Sequence, residues 1–192
     1  MSDQKELRGF LVVLQEQEYP PWVTRRAMPT YKGVYRIPAA PTPGEPAEIP
    51  EEAEALDAYV FGDFKDCDTN LIPAYDKAVK LLGMFSRSPR RYEIIFCCTH
   101  GEEEQLERLA SESLSVQPLG YDVAGVEGDY WSIVDDMPES PWAEPFRARL
   151  NGHGLFSNKE DAEQYLRAYQ NRGEPDWDAG LRVVFVARVL PS

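Results

Sequence analysis

Phe10-Leu-Val-Val-Leu14 is a short apolar run between Gly9 and the polar stretch Gln15-Glu-Gln-Glu18, and it predicts a β-strand. Residues 31–37, with Val34, Tyr35 and Ile37, predict a second strand weakened by Gly33. Ala58-Tyr-Val-Phe61 predicts a third. From Pro73 to Phe85 the pattern changes period: Ala74, Ala78, Leu81, Leu82 and Phe85 recur every three or four residues and make one apolar helical face. Asp68, Thr69 and Asn70 are N-cap candidates, and Pro73 suits a first turn. Arg91-Tyr-Glu-Ile-Ile-Phe-Cys-Cys98 is the strongest strand, and its unbroken apolar run from Ile94 predicts burial on both faces.

A short helix is expected over Glu102–Ala110, whose three leading carboxylates suit the positive end of the helix dipole. Residues 118–145 read as irregular, with one strand at Tyr130–Val134. Ser157-Asn-Lys-Glu160 has capping-box spacing and opens a helix whose inner face is Ala162, Tyr165, Leu166 and Tyr169. Gly173 and Pro175 end that helix. Leu181–Leu190 closes the chain as a β-rich run expected at or next to the centre of a sheet.

These elements predict an α+β fold: one domain over 1–192, with a mixed sheet and about three helices packed on it. Five prolines between Pro38 and Pro50 remove amide donors and fix φ, which predicts a surface loop at 38–50 within that domain. The helix at 73–85 suits a crossover between parallel strands at 58–61 and 91–98, with an antiparallel arrangement equally open.

Charge narrows the function classes. Asp plus Glu outnumber Lys plus Arg by 33 to 20, a formal charge of −13. The acids are clustered: ten lie between Glu45 and Asp76 against one cation, Lys65, whereas Lys77 to Arg91 carries five cations and no acid. Such fields repel nucleic acid and membrane surfaces and speed encounter with a basic partner. No apolar run approaches the roughly 20 residues that span a bilayer, and the N-terminus lacks a secretory pattern, so a cytoplasmic location is expected. Three cysteines (Cys67, Cys97 and Cys98) without framework spacing read as buried, reduced thiols.

Catalytic candidates are sparse. Cys98 and His100 stand two apart at a strand end, the spacing a small Cys/His hydrolase or transferase would use, but Glu102, Glu103 and Glu104 disfavour a thiolate there. His100, His153 and the cysteines show no metal-ligand spacing, and no phosphate-binding loop is present, so neither metal nor cofactor is expected. Asp122, Glu127, Asp129, Asp135 and Asp136 fall within fifteen residues and read as a solvated acidic loop. Tyr130, Trp131 and Trp142 lie among these acids. Large aromatics bury much area while keeping a polar handle, so Glu127, Asp129, Tyr130, Trp131, Asp135, Asp136 and Trp142 form the candidate partner-binding face.

Leu119-Gly-Tyr-Asp-Val-Ala124 and Leu150-Asn-Gly-His-Gly-Leu-Phe-Ser157, with Glu160-Asp-Ala162 after it, resemble small cytoplasmic bacterial immunity proteins, which neutralise polymorphic toxins. The likeness covers mainly residues 119–190. It implies a non-enzymatic protein that blocks a toxin with a basic surface by direct binding, and it assigns no functional residue. A regulatory or adaptor protein with another partner fits the same charge pattern.

Overall fold

The computed structural model describes residues 7–14, 71–84, 92–125, 131–134, 137–138, 140–172 and 180–190. Their strands are β1 (Arg8–Leu14), β2 (Tyr92–Cys98), β3 (Val116–Gly125), β4 (Trp131–Ser132) and β5 (Leu181–Val189), and they form one sheet in the order β1-β2-β5-β3-β4. The helices are α1 (Tyr75–Met84), α2 (Glu102–Ser111), the single turn α3 (Glu144–Arg147) and α4 (Lys159–Gln170). The fold is α+β, as expected.

Every described strand pairing is antiparallel, the arrangement left open beside a parallel crossover. Over Ile95–Cys98, β2 is flanked by antiparallel β1 and β5, so no parallel neighbour stands beside it there. The strand expected at 58–61 lies outside the described residues, as do the one at 31–37 and the loop at 38–50. β5, the C-terminal run, is the middle strand of the sheet.

Strand register sorts side chains into two faces, because paired residues point the same way and neighbours point opposite ways. Phe10, Phe96 and Ala187 align across β1, β2 and β5 on one face. This face carries the helices: Ala78 and Leu81 of α1 and Leu109 of α2 pack with Phe10, Val12, Ile94 and Phe96. Ala162 and Tyr165 of α4 pack with Val123, Phe156 and Leu181 on the same side. The opposite face holds Ile95, Cys97, Ala124, Val184 and Val186, each 0–1 % exposed. β2 is thus buried on both sides, as its continuous apolar run requires.

β3 departs most from expectation, since ten residues of strand occupy a segment whose pattern reads as irregular. The register shifts between Pro118 and Gly120, and this bulge breaks the two-residue alternation by which a strand is read. Beyond the bulge, Tyr121 exchanges reciprocal backbone hydrogen bonds of 2.9 Å with Phe156. At the far edge of the sheet Phe10 and Ile72 do the same at 2.8 Å, which seats the chain entering α1 against β1.

Local chemistry explains the helix ends. Asn158, in extended conformation, caps α4: its Oδ1 accepts from the Asp161 amide at 2.9 Å and its Nδ2 donates to the Asp161 carboxylate at 2.8 Å. This shifts the expected capping box by one residue, from Ser157/Glu160 to Asn158/Asp161. α2 ends in a Schellman arrangement, with Ser113 N–H bonding Ala110 O at 3.0 Å and Leu114 N–H bonding Leu109 O at 2.9 Å. Leu114 packs in the same apolar cluster as Leu109, completing the motif's hydrophobic contact.

Candidate functional site

Residues of opposite character share α2. Its inner side sets Leu109 and Gln105 against the sheet, both buried, and its outer side presents Glu103, Glu104 and Glu107 to solvent. Two further acids, Glu102 at the start of the helix and Glu112 at its C-cap, are neutralised. Glu102 accepts from Lys159 Nζ at 2.8 Å, which ties the start of α2 to the start of α4, and Glu112 pairs with Arg108 at 3.1 Å. Glu103, Glu104 and Glu107 make no ion pair, so the exposed side carries uncompensated negative charge on a helix whose other side is locked into the core. The helix dipole accounts for acids in the first turn; Glu107 lies beyond it.

Tyr121 stands beside the Glu102–Lys159 tether. Its phenol is shifted upward, first by burial and then by Glu102, with Lys159 opposing. Lys159 is shifted upward too, chiefly through its hydrogen bond to Glu102.

The expected partner-binding face is only partly visible. Glu127, Asp129, Tyr130, Asp135 and Asp136 lie outside the described residues, and Trp131 is described only as backbone of β4. Trp142 is half-buried. Its ring stacks on Tyr165 with centroids 5.8 Å apart and planes at 7°, while the Arg172 guanidinium lies 4.6 Å from its centre. Tyr165 is fully buried and donates to the Ile133 carbonyl at 3.1 Å. Trp142 therefore closes the outer end of the aromatic cluster holding α4 to the sheet.

Asp122 corrects the reading of a solvated acidic loop. It is 0 % exposed and lies within β3, on the face away from the helices. One carboxylate oxygen accepts from the Val123 amide and from the Ser132 hydroxyl, both at 2.7 Å. Ser132 Oγ in turn accepts from the Val134 amide at 3.1 Å. Asp122 thus fastens β4 and the turn after it to β3. Its signal in the sequence was its place two residues before Ala124 in an apolar stretch, which the preceding bulge obscured.

Cys98 and His100 part company at the strand end. Cys98 is 0 % exposed among Phe10, Phe96 and Phe185, while His100 is exposed beside Gly101. Cys97 points to the other face, where burial first, then Asp122 and Cys98, push its thiol well above the usual range. Among the described residues, no group of three His, Cys, Asp or Glu side chains is placed to hold a metal ion. No described helix is long and apolar enough to cross a membrane.

A groove of about 280 Å³ opens between the first turn of α1, the start of β1 and the inner side of α2. Phe10 and Phe96 floor it, and the pattern of the sequence gave no sign of it. The residues forming it come from four segments up to about a hundred positions apart. Compared with known proteins, the chain matches no family model, no curated protein and no solved structure.

Proposed function

We propose that this chain is a non-enzymatic binding protein that docks its acidic surface on a basic protein, and that the partner is a bacterial toxin neutralised by direct contact. The observation that carries this reading is the outer side of α2. Glu103, Glu104 and Glu107 there are exposed and unpaired in a chain of net charge −13. Fixed like charges on a rigid helix steer a basic partner during diffusional approach, and steering acts mainly on the association rate. Glu127, Asp129, Asp135 and Asp136 extend the same charge by sequence, with Tyr130, Trp131 and Trp142 as the aromatic anchors whose burial would set the dissociation rate.

The direct test begins with the neighbouring gene: where it encodes a large toxin with a variable C-terminal domain, that domain is the partner to use. Co-expression with the chain should rescue growth, and the two should co-purify. Charge reversal at Glu103, Glu104 and Glu107 should slow association and flatten its salt dependence, with the dissociation rate nearly unchanged. A regulatory adaptor with a different basic partner would show that same steering without rescue. Association rates unmoved by reversal, here and at Glu127, Asp129, Asp135 and Asp136, would remove the electrostatic reading altogether.

A further inference from the structure

Asn151 fastens the chain before α4 to β3 with both polar atoms of its side chain. Its Nδ2 donates to the Leu119 carbonyl at 2.8 Å, and its Oδ1 accepts from the His153 and Leu155 amides at 2.8 and 3.3 Å. Its backbone closes the same turn: Asn151 N–H donates to the Leu155 carbonyl at 2.8 Å, and the Asn151 carbonyl accepts from Gly154 N–H at 3.0 Å. Phe156, next along, pairs with Tyr121 of β3. The strap over residues 150–157 therefore depends on one carboxamide that acts as donor and acceptor at once.

The following residue gives that carboxamide a reaction. Of the four asparagines in the chain, Asn151 alone precedes glycine. A side chain on the next residue hinders attack by its backbone nitrogen. Gly152 has none, is exposed, and has nothing within 4 Å of its Cβ position. The Gly152 nitrogen attacks Asn151 Cγ after losing its proton to hydroxide. The new N–Cγ bond closes a succinimide ring, the Cγ–Nδ2 bond breaks, and ammonia leaves with a proton from water. A water molecule then opens either ring carbonyl and leaves aspartate or isoaspartate at position 151, an irreversible change without oxidation or reduction.

Structure and reaction oppose each other. Ring closure must turn the carboxamide onto the Gly152 nitrogen, and its three hydrogen bonds resist this, so the strap has to open first. Aspartate, once formed, lacks the Nδ2 donor and sets a carboxylate oxygen against the Leu119 carbonyl, two acceptors with no proton between them. Isoaspartate also routes the main chain through the β-carbon, which displaces the turn bonds to Leu155 and Gly154. We propose that Asn151-Gly152 is a deamidation site gated by this strap, and that its conversion releases residues 150–157 from β3. The site is independent of the toxin-binding reading and needs no partner.

The test holds the full chain at mildly alkaline pH with and without urea and follows the tryptic peptide 150–159 by fragment-ion mass spectrometry. In urea, Asn151 should convert ahead of Asn70, Asn158 and Asn171, to a mixture of aspartate and isoaspartate. In native buffer the same conversion should run roughly tenfold or more slowly, because only the open fraction reacts. G152A, whose methyl group has room in the fold, should slow conversion in urea by roughly tenfold or more. Deamidated protein, separated by its added negative charge, and N151D should both show a lower urea midpoint and faster amide exchange at Tyr121 and Phe156. The rate comparisons on the parent chain and G152A stand by themselves if N151D does not fold. Three results would each overturn the proposal: no conversion at Asn151 in urea, equal rates with and without urea, or parental exchange at Tyr121 and Phe156 in the deamidated chain.

Discussion

A carbon at the Cβ position of Gly120 would lie 2.6 Å from the carbonyl oxygen of Phe156, closer than such atoms approach in folded proteins. Gly120 also has φ of +142°, a conformation that L side chains rarely adopt. The contact exists because Tyr121 and Phe156 clip the chain before α4 onto β3, while Asn151 Nδ2 donates to the Leu119 carbonyl at 2.8 Å. Residues 119–124 and 150–157 are therefore joined in space beside Gly120.

G120A should consequently destabilise the protein by about 2–4 kcal/mol, combining backbone strain with displacement of Phe156. Gly152, in the neighbouring turn, has nothing within 4 Å of its Cβ position, and G152A should stay within about 0.5 kcal/mol of the parent. Urea denaturation of both variants measures the difference. Equal midpoints would mean that the clip does not bear on stability.

Ser113 is the one non-glycine residue with positive φ among the described residues, at 64°, and it occupies the position after the α2 C-cap where glycine is usual. A side chain in that left-handed region costs about 1 kcal/mol or more, and the Schellman bonds use only backbone atoms. S113G should therefore raise stability by about 0.5–1 kcal/mol without touching the core. Thermal unfolding followed by circular dichroism would show it as an increase in Tm.

Asn158 rather than Ser157 satisfies the free amides at the start of α4. N158A should cost about 1 kcal/mol, whereas S157A should be nearly neutral because Ser157 is exposed and outside the cap. The pair separates the two registers of the capping box directly. A larger loss for S157A would restore the register suggested by the Ser-x-x-Glu spacing.

How much of this was legible depended on periodicity and on distance along the chain. β1, β2, β5 and the inner faces of α1 and α4 follow from apolar runs and three-to-four-residue repeats, which are local signals. β3 was missed because Pro118 and Gly120 sit at a bulge, and with it went the burial of Asp122. Antiparallel order was open because pairing is a long-range choice that single-strand patterns do not encode. The outward acids of α2 were visible as Glu102-Glu-Glu, but which were neutralised was not, since Lys159 lies 57 positions from Glu102. The groove was invisible for the same reason, its Arg8–Gln105 contact spanning 97 positions.

Alkaline pH should loosen the fold through its buried acids. Cys97 is fully buried, and burial holds its thiol protonated well above the ordinary value of 9.0. Tyr121 and Tyr165 are shifted upward from 10.0, in each case chiefly by burial. Lys159 is shifted upward from 10.5 by Glu102. For each group the unfolded chain loses its proton first, so the stabilisation is complete below the unfolded pKa and is lost as pH rises from there through the folded pKa. The urea midpoint should thus be steady near pH 7–8 and fall from about pH 9 upward. C97A should fall less steeply at the onset of that decline, since one of its earliest contributors is gone. Thiol labelling supplies the second measurement: in the native state at pH 8, Cys97 should react with Ellman's reagent only as fast as the protein opens, and denaturant should release it. Peptide mapping by mass spectrometry distinguishes Cys97 and Cys98 from Cys67, which lies outside the described residues. Rapid native labelling of the Cys97-Cys98 peptide would contradict the burial on which both expectations rest.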